Sequence, residues 1–301
     1  MKKFSIFLLG IGLLFSCADP KQESNDQNGD QDSLSSVAAE PDTDFGQKVF
    51  YPIPSPEQMF GFINEVGVSY SKELIHQPEL AKQYTEPTKL ALNFGVYTAD
   101  LAYAAAYKDI ETTSSLYQVV SEVAEEMNIA QMMSEVLMKQ VKDNLQNRDS
   151  LSAIAGKAYY DAVGYLEQSQ MEGKLALMSV GGWIESLYIT LSSIQDFQED
   201  SPTAQRIADQ KITFGNLYTY LKDHESERGV KKAISELQAV RSVFASLPET
   251  KVAKRSKSKD GLKMVLSSGR RISIDQKQFE ALKIAIADSR AGIISISDPV
   301  Q

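Results

Sequence analysis

The chain has 301 residues, 43% of them apolar, and a formal net charge of -9. That length allows one large domain or two small ones with ample core. The charge argues against a nucleic-acid binder: residues 17–46 hold eight acids against one base, and the rest beyond residue 46 is mildly acidic, whereas phosphate contacts need a basic face.

The N-terminus reads as a signal peptide over residues 1–16. Lys2 and Lys3 precede an apolar run from Phe4 to Phe15, too short to span a bilayer comfortably. The run ends in Leu14-Phe15-Ser16-Cys17, which resembles the lipobox of bacterial lipoproteins. The resemblance implies cleavage before Cys17, acylation of its thiol and a membrane partner reached through that lipid. Cys17 is the only cysteine, so the acylated chain would carry neither a free thiol nor a disulfide. No later run reaches transmembrane length without charges or breakers, which leaves the lipid as the expected anchor.

Residues 17–46 are rich in Asp, Gln, Ser, Asn and Glu and carry too little apolar surface to offset ordering entropy. They are expected to form a disordered tether of roughly 30 Å r.m.s. span. An acidic stretch directly after the lipidated cysteine also resembles surface-export signals of Bacteroides-group lipoproteins. The expected location is therefore the cell envelope, on the outer membrane, facing either the periplasm or the surface.

A helical domain is expected over 47–247. Ser55-Pro56 with Gln58 opens a first helix to Gly67, and an irregular stretch with Pro78 follows. Further helices are predicted over 86–108, 113–127, 129–147, 149–169, 171–197, 202–224 and 229–246 from their apolar period, caps and prolines. Residues 248–301 should pack on the same domain. Here a basic solvated loop at 250–260 precedes a hairpin over 262–274 turning at Ser268-Gly269, then a helix over 276–290 capped by Asp275. The basic loop reads as a connector that could also touch anionic headgroups. The expected fold class is all-α, a multi-helix bundle with a small C-terminal β-hairpin.

One internal echo suggests two related helical halves. Leu90-Ala91-Leu92 recurs as Leu175-Ala176-Leu177, and at the same offset of 85 residues Asp100 matches Glu185 and Tyr103 matches Tyr188.

The same two helices hold the candidate ligand-binding residues. Asn93, Tyr97, Asp100 and Tyr103 share one helical stripe, and Glu185 and Tyr188 share another on the helix that carries Trp183. Gly95, Gly181 and Gly182 mark a close approach of a helix or a ligand. Two readings stay open. Facing carboxylates with separated pKa values could do acid–base work, with the aromatics holding a ring. Alternatively each acid holds a tyrosine hydroxyl or helix end inside the bundle.

Other chemistry finds little support. His76 and His224 lack metal-binding spacing, and there is no HExxH, helical Glu-x-x-His, Gly-x-Ser-x-Gly or phosphate loop. Ser69-Tyr-Ser-Lys72 fits Ser-x-x-Lys without its companion motifs, and Met127, Met132, Met133 and Met138 read as core filler. No cofactor or metal is expected.

The stretches Asn93-Phe-Gly-Val-Tyr-Thr-Ala-Asp-Leu-Ala-Tyr103 and Gly181-Gly-Trp-Ile-Glu-Ser-Leu-Tyr188 resemble those of uncharacterised helical lipoproteins of Bacteroides-type bacteria, over about residues 50–247. The resemblance implies class and location and transfers no functional residue. Taken together, these signals favour a lipid-anchored, non-enzymatic binding or scaffold protein with an unidentified protein or small-molecule partner. The alternative is an envelope hydrolase that uses Asp100 and Glu185, on glycans.

Overall fold

The structure, a computed structural model, describes residues 69–132, 135–144, 147–257 and 264–296. The chain divides into two units, 1–48 and 49–301, and every described residue belongs to the second. Cys17, the tether and the helix expected over 55–67 lie outside the described residues.

Among the described residues, the second unit is all-α with one two-stranded antiparallel ribbon. An extended strap with two short 3-10 turns, Lys72–Leu74 and Pro78–Gln83, leads into α1 (Pro87–Ala106). Then come α2 (Ile110–Glu126), a 3-10 turn at Ala130–Met132, α3 (Glu135–Asp143), α4 (Arg148–Gln168), α5 (Glu172–Ser193) and α6 (Pro202–Asp223). The C-terminal part holds α7 (Val230–Glu236), α8 (Gln238–Ser246), β1 (Glu249–Lys257), β2 (Met264–Ile272) and α9 (Gln276–Ile294).

Local chemistry sets most boundaries. Glu86 caps α1 by accepting from Lys89 N, ahead of Pro87 at the first helical position. Asp109, Asn147, Ser201 and Asp275 cap α2, α4, α6 and α9 in the same way, the last through a reciprocal capping box with Gln278. Helices α1, α2 and α4 each close on a left-handed residue, Lys108, Asn128 and Gln170. The following N–H groups then reach back to Ala104 O, Ala124 O and Leu166 O.

Three expectations need correction. The single helix predicted over 129–147 is a 3-10 turn followed by the shorter α3. Asn128 reverses the chain ahead of it, and the Asn144–Asn147 turn ends it. The helix predicted over 229–246 breaks at Leu237, beside which the Gln238 side chain donates to Ile234 O at 3.0 Å. The basic stretch 250–260 is largely strand, not loop. Glu249 through Lys257 pair with Ile272 through Met264, so Ser268 and Gly269 sit inside β2 opposite Ala253 and Val252. A two-stranded ribbon is specified by its backbone ladder, so lysines do not forbid it. The connection contains Asp260-Gly261, a stronger turn dipeptide than the Ser-Gly pair.

The core is built around α1 and α5. Gly95 lies so close to α5 that a Cβ there would sit 2.0 Å from Met178 O and 2.6 Å from Gly182 N. A Cβ on Gly181 would sit 1.9 Å from Leu92 O. The two helices therefore touch backbone to backbone. They run in the same sense, the Leu92–Gly95 turn lying against Met178–Gly182 and, further along, Asp100 against Glu185. This register brings Asp100 onto its own echo residue 85 positions later. Helix α5 is long and apolar enough to cross a membrane by length and composition, and 78% of its apolar window is buried in this fold. It serves here as the core helix.

Candidate functional site

The polar stripe of α1 meets the chain's own strap. Residues 69–77 run along α1 in the opposite direction, and three of the stripe residues, Tyr97, Asp100 and Tyr103, hold strap backbone groups. Tyr103 Oη accepts from Ser71 N at 2.9 Å and donates to Ser69 O at 3.3 Å. Asp100 Oδ2 accepts from His76 N at 3.0 Å. Tyr97 Oη donates to Gln77 O at 3.0 Å. An extended segment has no intrinsic partners for its amides, and buried ones must be satisfied. The stripe at i, i+3 and i+6 supplies them.

Asp100 and Glu185 face each other in hydrogen-bond contact, and both are fully buried. Arg290, from α9, takes Glu185 at both oxygens: Nε donates to Oε2 at 2.6 Å and Nη2 to Oε1 at 2.7 Å. Nη2 also donates to Leu74 O in the strap at 3.2 Å, and the guanidinium lies 4.1 Å above the half-buried Tyr188 ring.

Two carboxylates and one guanidinium cannot all be charged at low cost in such a site. Burial first, then the Glu185 charge, holds the Asp100 carboxyl well above its ordinary range. Burial pushes Glu185 up as well, and Arg290 draws it back. The proton shared by the pair is therefore assigned to Asp100, the carboxyl that Arg290 does not hold. Its Oδ1 accepts no hydrogen bond, and a proton on the carboxyl supplies the donor that the contact with Glu185 requires. The cluster is neutral overall: an uncharged Asp100, an ionised Glu185 and Arg290.

His76 completes the cluster. Its ring stacks on Tyr97 with centroids 5.1 Å apart, and Nε2 lies 2.8 Å from Tyr84 Oη. Tyr84 spends its one hydroxyl proton on Ile294 O at 2.7 Å, so His76 Nε2 is the donor and carries the hydrogen. Burial, then the nearby Arg290 charge, lowers the imidazole pKa to about 4, so the ring is neutral at pH 7.

The end of α9 is tied down nearby. The buried Lys89 ammonium donates to Gly292 O, to Ile293 O at 3.2 Å and to Ser295 Oγ at 3.0 Å. Asn93 Nδ2 donates to Lys89 O and Ile293 O. A cation at a helix C-terminus answers its unpaired carbonyls and its dipole together.

Of the residues picked out in sequence, Asn93, Tyr97, Asp100, Tyr103, Glu185 and Tyr188 lie along this seam. Trp183 does not. It points to another part of the core, beside Phe214 and Phe244 with its indole N–H on Gln210 Oε1 at 3.2 Å. Sequence reading missed Arg290, His76, Tyr84 and Lys89. Arg290 left a signal: it falls on the apolar stripe Leu282, Ile286, Ile293 of α9, where a buried base demands an acid. Among the described residues, no group of three or more His, Cys, Asp or Glu could hold a metal.

Comparison with protein-family models, curated proteins and solved structures finds no match to this chain.

Proposed function

We propose that this protein is a lipid-anchored envelope protein whose helical domain acts as a binding or scaffold module rather than as an enzyme. The observation that carries the non-enzymatic part is the closure of the Asp100–Glu185 pair. A glycosidase needs its carboxyls roughly 5–9.5 Å apart beside an open cleft. This pair is in direct hydrogen-bond contact, fully buried and closed by Arg290 and the strap. It has the chemistry of a lock between elements distant in sequence. The anchored part of the reading rests on the lipobox-like Leu14-Phe15-Ser16-Cys17 and the acidic tether after it.

Metabolic labelling with an alkyne fatty acid, in a bacterium that exports the chain, tests the anchor. Label and membrane fractionation should both depend on Cys17, and a Cys17→Ala chain that still labels contradicts the reading. Cross-linking in the envelope tests the binding role. A partner recovered with wild type and lost on unfolding the domain supports it. Hydrolytic turnover of envelope glycans that disappears in Glu185→Gln while the fold persists contradicts it.

A further inference from the structure

Among the described residues, the strap 69–77 has no backbone ladder to the helices. Its backbone-to-backbone bonds are local: Leu74 N to Ser71 O, Ile75 N to Lys72 O and Leu80 N to Gln77 O, each at 3.2 Å. Its ties to the helices end on ionisable side chains. Tyr70 Oη donates to Asp109 Oδ2 at 2.8 Å, Tyr103 Oη to Ser69 O at 3.3 Å and Tyr97 Oη to Gln77 O at 3.0 Å. Asp100 Oδ2 accepts from His76 N, and Arg290 Nη2 donates to Leu74 O. Each tyrosine donates only while it keeps its proton. Of residues 69–77 only His76 is buried, while Lys72, Glu73 and Gln77 face solvent.

Beneath the strap lies a cluster whose charge balance turns on a single proton. Asp100 faces Glu185 of α5, Tyr97 and Tyr103 of its own helix, His76 of the strap and, across Glu185, Arg290 of α9. Tyr84 lies beyond His76, and the Tyr188 ring lies under Arg290. Of these groups Arg290 alone is a cation at pH 7, and Glu185 already takes it at both oxygens. With the Asp100 proton in place the cluster is neutral. Without it, two carboxylates in contact share one guanidinium out of water, which is costly. Water relieves that charge. On the α1–α5 side it is shut out by backbone contact at Gly95 and Gly181, so the side that yields is the strap, held by side chains.

We propose that the strap is a base-released latch: loss of the Asp100 proton lifts residues 69–77 from α1 while the helices stay packed. Burial and then the Glu185 charge keep the closed-state carboxyl well above its ordinary range, and opening wets it, so opening releases a proton. A rising pH therefore favours the open form, by up to about tenfold per pH unit. His76 sets the lower bound of this response. Burial, then Arg290, lower its closed-state pKa from 6.5 to about 4, so below pH 6.5 an opened strap takes up a proton there that offsets the one leaving Asp100. Above 6.5 the imidazole is neutral in both forms and Asp100 acts alone. Tyr70 and Tyr97, raised by burial, act in the same sense at higher pH. Opening bares Tyr97, Asp100 and Tyr103, side chains set to pair with extended backbone. The latch holds whether or not the chain is lipid-anchored.

Amide exchange of the full chain tests it, each rate being divided by the intrinsic rate at the same pH. Protection of the Ser71 and His76 amides should fall by about tenfold per pH unit between pH 6.5 and ~8.5. Amides of α5 beside Gly181 should keep their protection over that range. Asp100→Asn, uncharged at every pH and still an acceptor for His76 N, should hold the strap protection constant. His76→Gln should leave the slope above pH 6.5 as in the parent. Constant strap protection in the parent overturns the proposal. So does an equal fall in α5, which is loosening of the whole domain, or an unchanged slope in Asp100→Asn, which assigns the proton to another group such as Lys89. Should Asp100→Asn fail to fold, the parent slopes at the strap and at α5, with the His76→Gln slope, decide between these outcomes.

Discussion

Arg290 holds Glu185 by both carboxylate oxygens, 105 residues apart in sequence, and the guanidinium also takes a strap carbonyl. This bidentate pair ties α9 to α5 and to residue 74 at once. Asp100 joins it from α1 as a neutral hydrogen-bond donor. One cluster thus fastens elements that leave the chain far apart, and the strap closes over it.

The helix crossing beneath the cluster depends on two glycines. Gly95→Ala and Gly181→Ala should each cost about 3 kcal/mol or more, because the added methyl meets backbone oxygen at 2.0 and 1.9 Å and the helices must separate. Gly215→Ala, in α6 with nothing within 4 Å of its would-be Cβ, should instead gain up to about 1 kcal/mol. Urea unfolding of the three variants checks this. Equal behaviour at all three positions would refute the backbone contact.

Lys89 secures the end of α9 through three acceptors. Lys89→Met keeps the stem and removes the donors, so it should cost about 2 kcal/mol and leave Gly292 and Ile293 carbonyls unpaired. Amide exchange over the last turn of α9 should speed up more than elsewhere. A variant as stable as wild type, with uniform exchange, would show that the ammonium is dispensable.

The buried imidazole of His76 makes stability depend on pH. Its pKa falls from 6.5 to about 4 on folding, so between those values the unfolded chain binds more protons. The resulting stabilisation is fully present above pH 6.5 and is lost as pH falls toward 4, by roughly 3 kcal/mol in all. Asp100 works in the opposite sense. Its raised pKa gives stability that is present below about 3.8 and declines as pH rises through its folded value. His76→Gln retains a donor for Tyr84 and the same Asp100, so the difference between wild type and variant isolates the histidine. Denaturant unfolding at pH 4.5, 5.5 and 7 should show that difference changing with pH, and a constant difference would contradict the buried neutral ring.

Much of this arrangement was legible in the sequence. Helical spacing put Asn93, Tyr97, Asp100 and Tyr103 on one stripe, the glycines announced a close crossing, and the echo at 85 residues matched Asp100 with Glu185. What local pattern could not supply was the rest of the cluster. The strap has no periodicity, because its amides are satisfied by side chains of α1 rather than by its own repeat. Arg290 and Lys89 find partners 105 and about 200 residues away, at distances no spacing rule spans. The ribbon was misplaced for a similar reason. Its strands are defined by pairing with each other, while lysine content points to a loop.

The most direct test of the lock is thermal unfolding at pH 7 of Glu185→Gln and Asp100→Asn beside the parent chain. Glu185→Gln strands a guanidinium in a buried site, which costs about 3 kcal/mol or more and lowers the melting temperature by roughly 5–10 °C. Asp100→Asn preserves one donor toward Glu185 and one acceptor for His76 N, so it should stay within about 1 kcal/mol of the parent. A large drop for Glu185→Gln with little change for Asp100→Asn is the predicted result. Glu185→Gln melting at or above the parent temperature, or Asp100→Asn falling as far as Glu185→Gln, would contradict a neutral Asp100 beside an ionised Glu185–Arg290 pair.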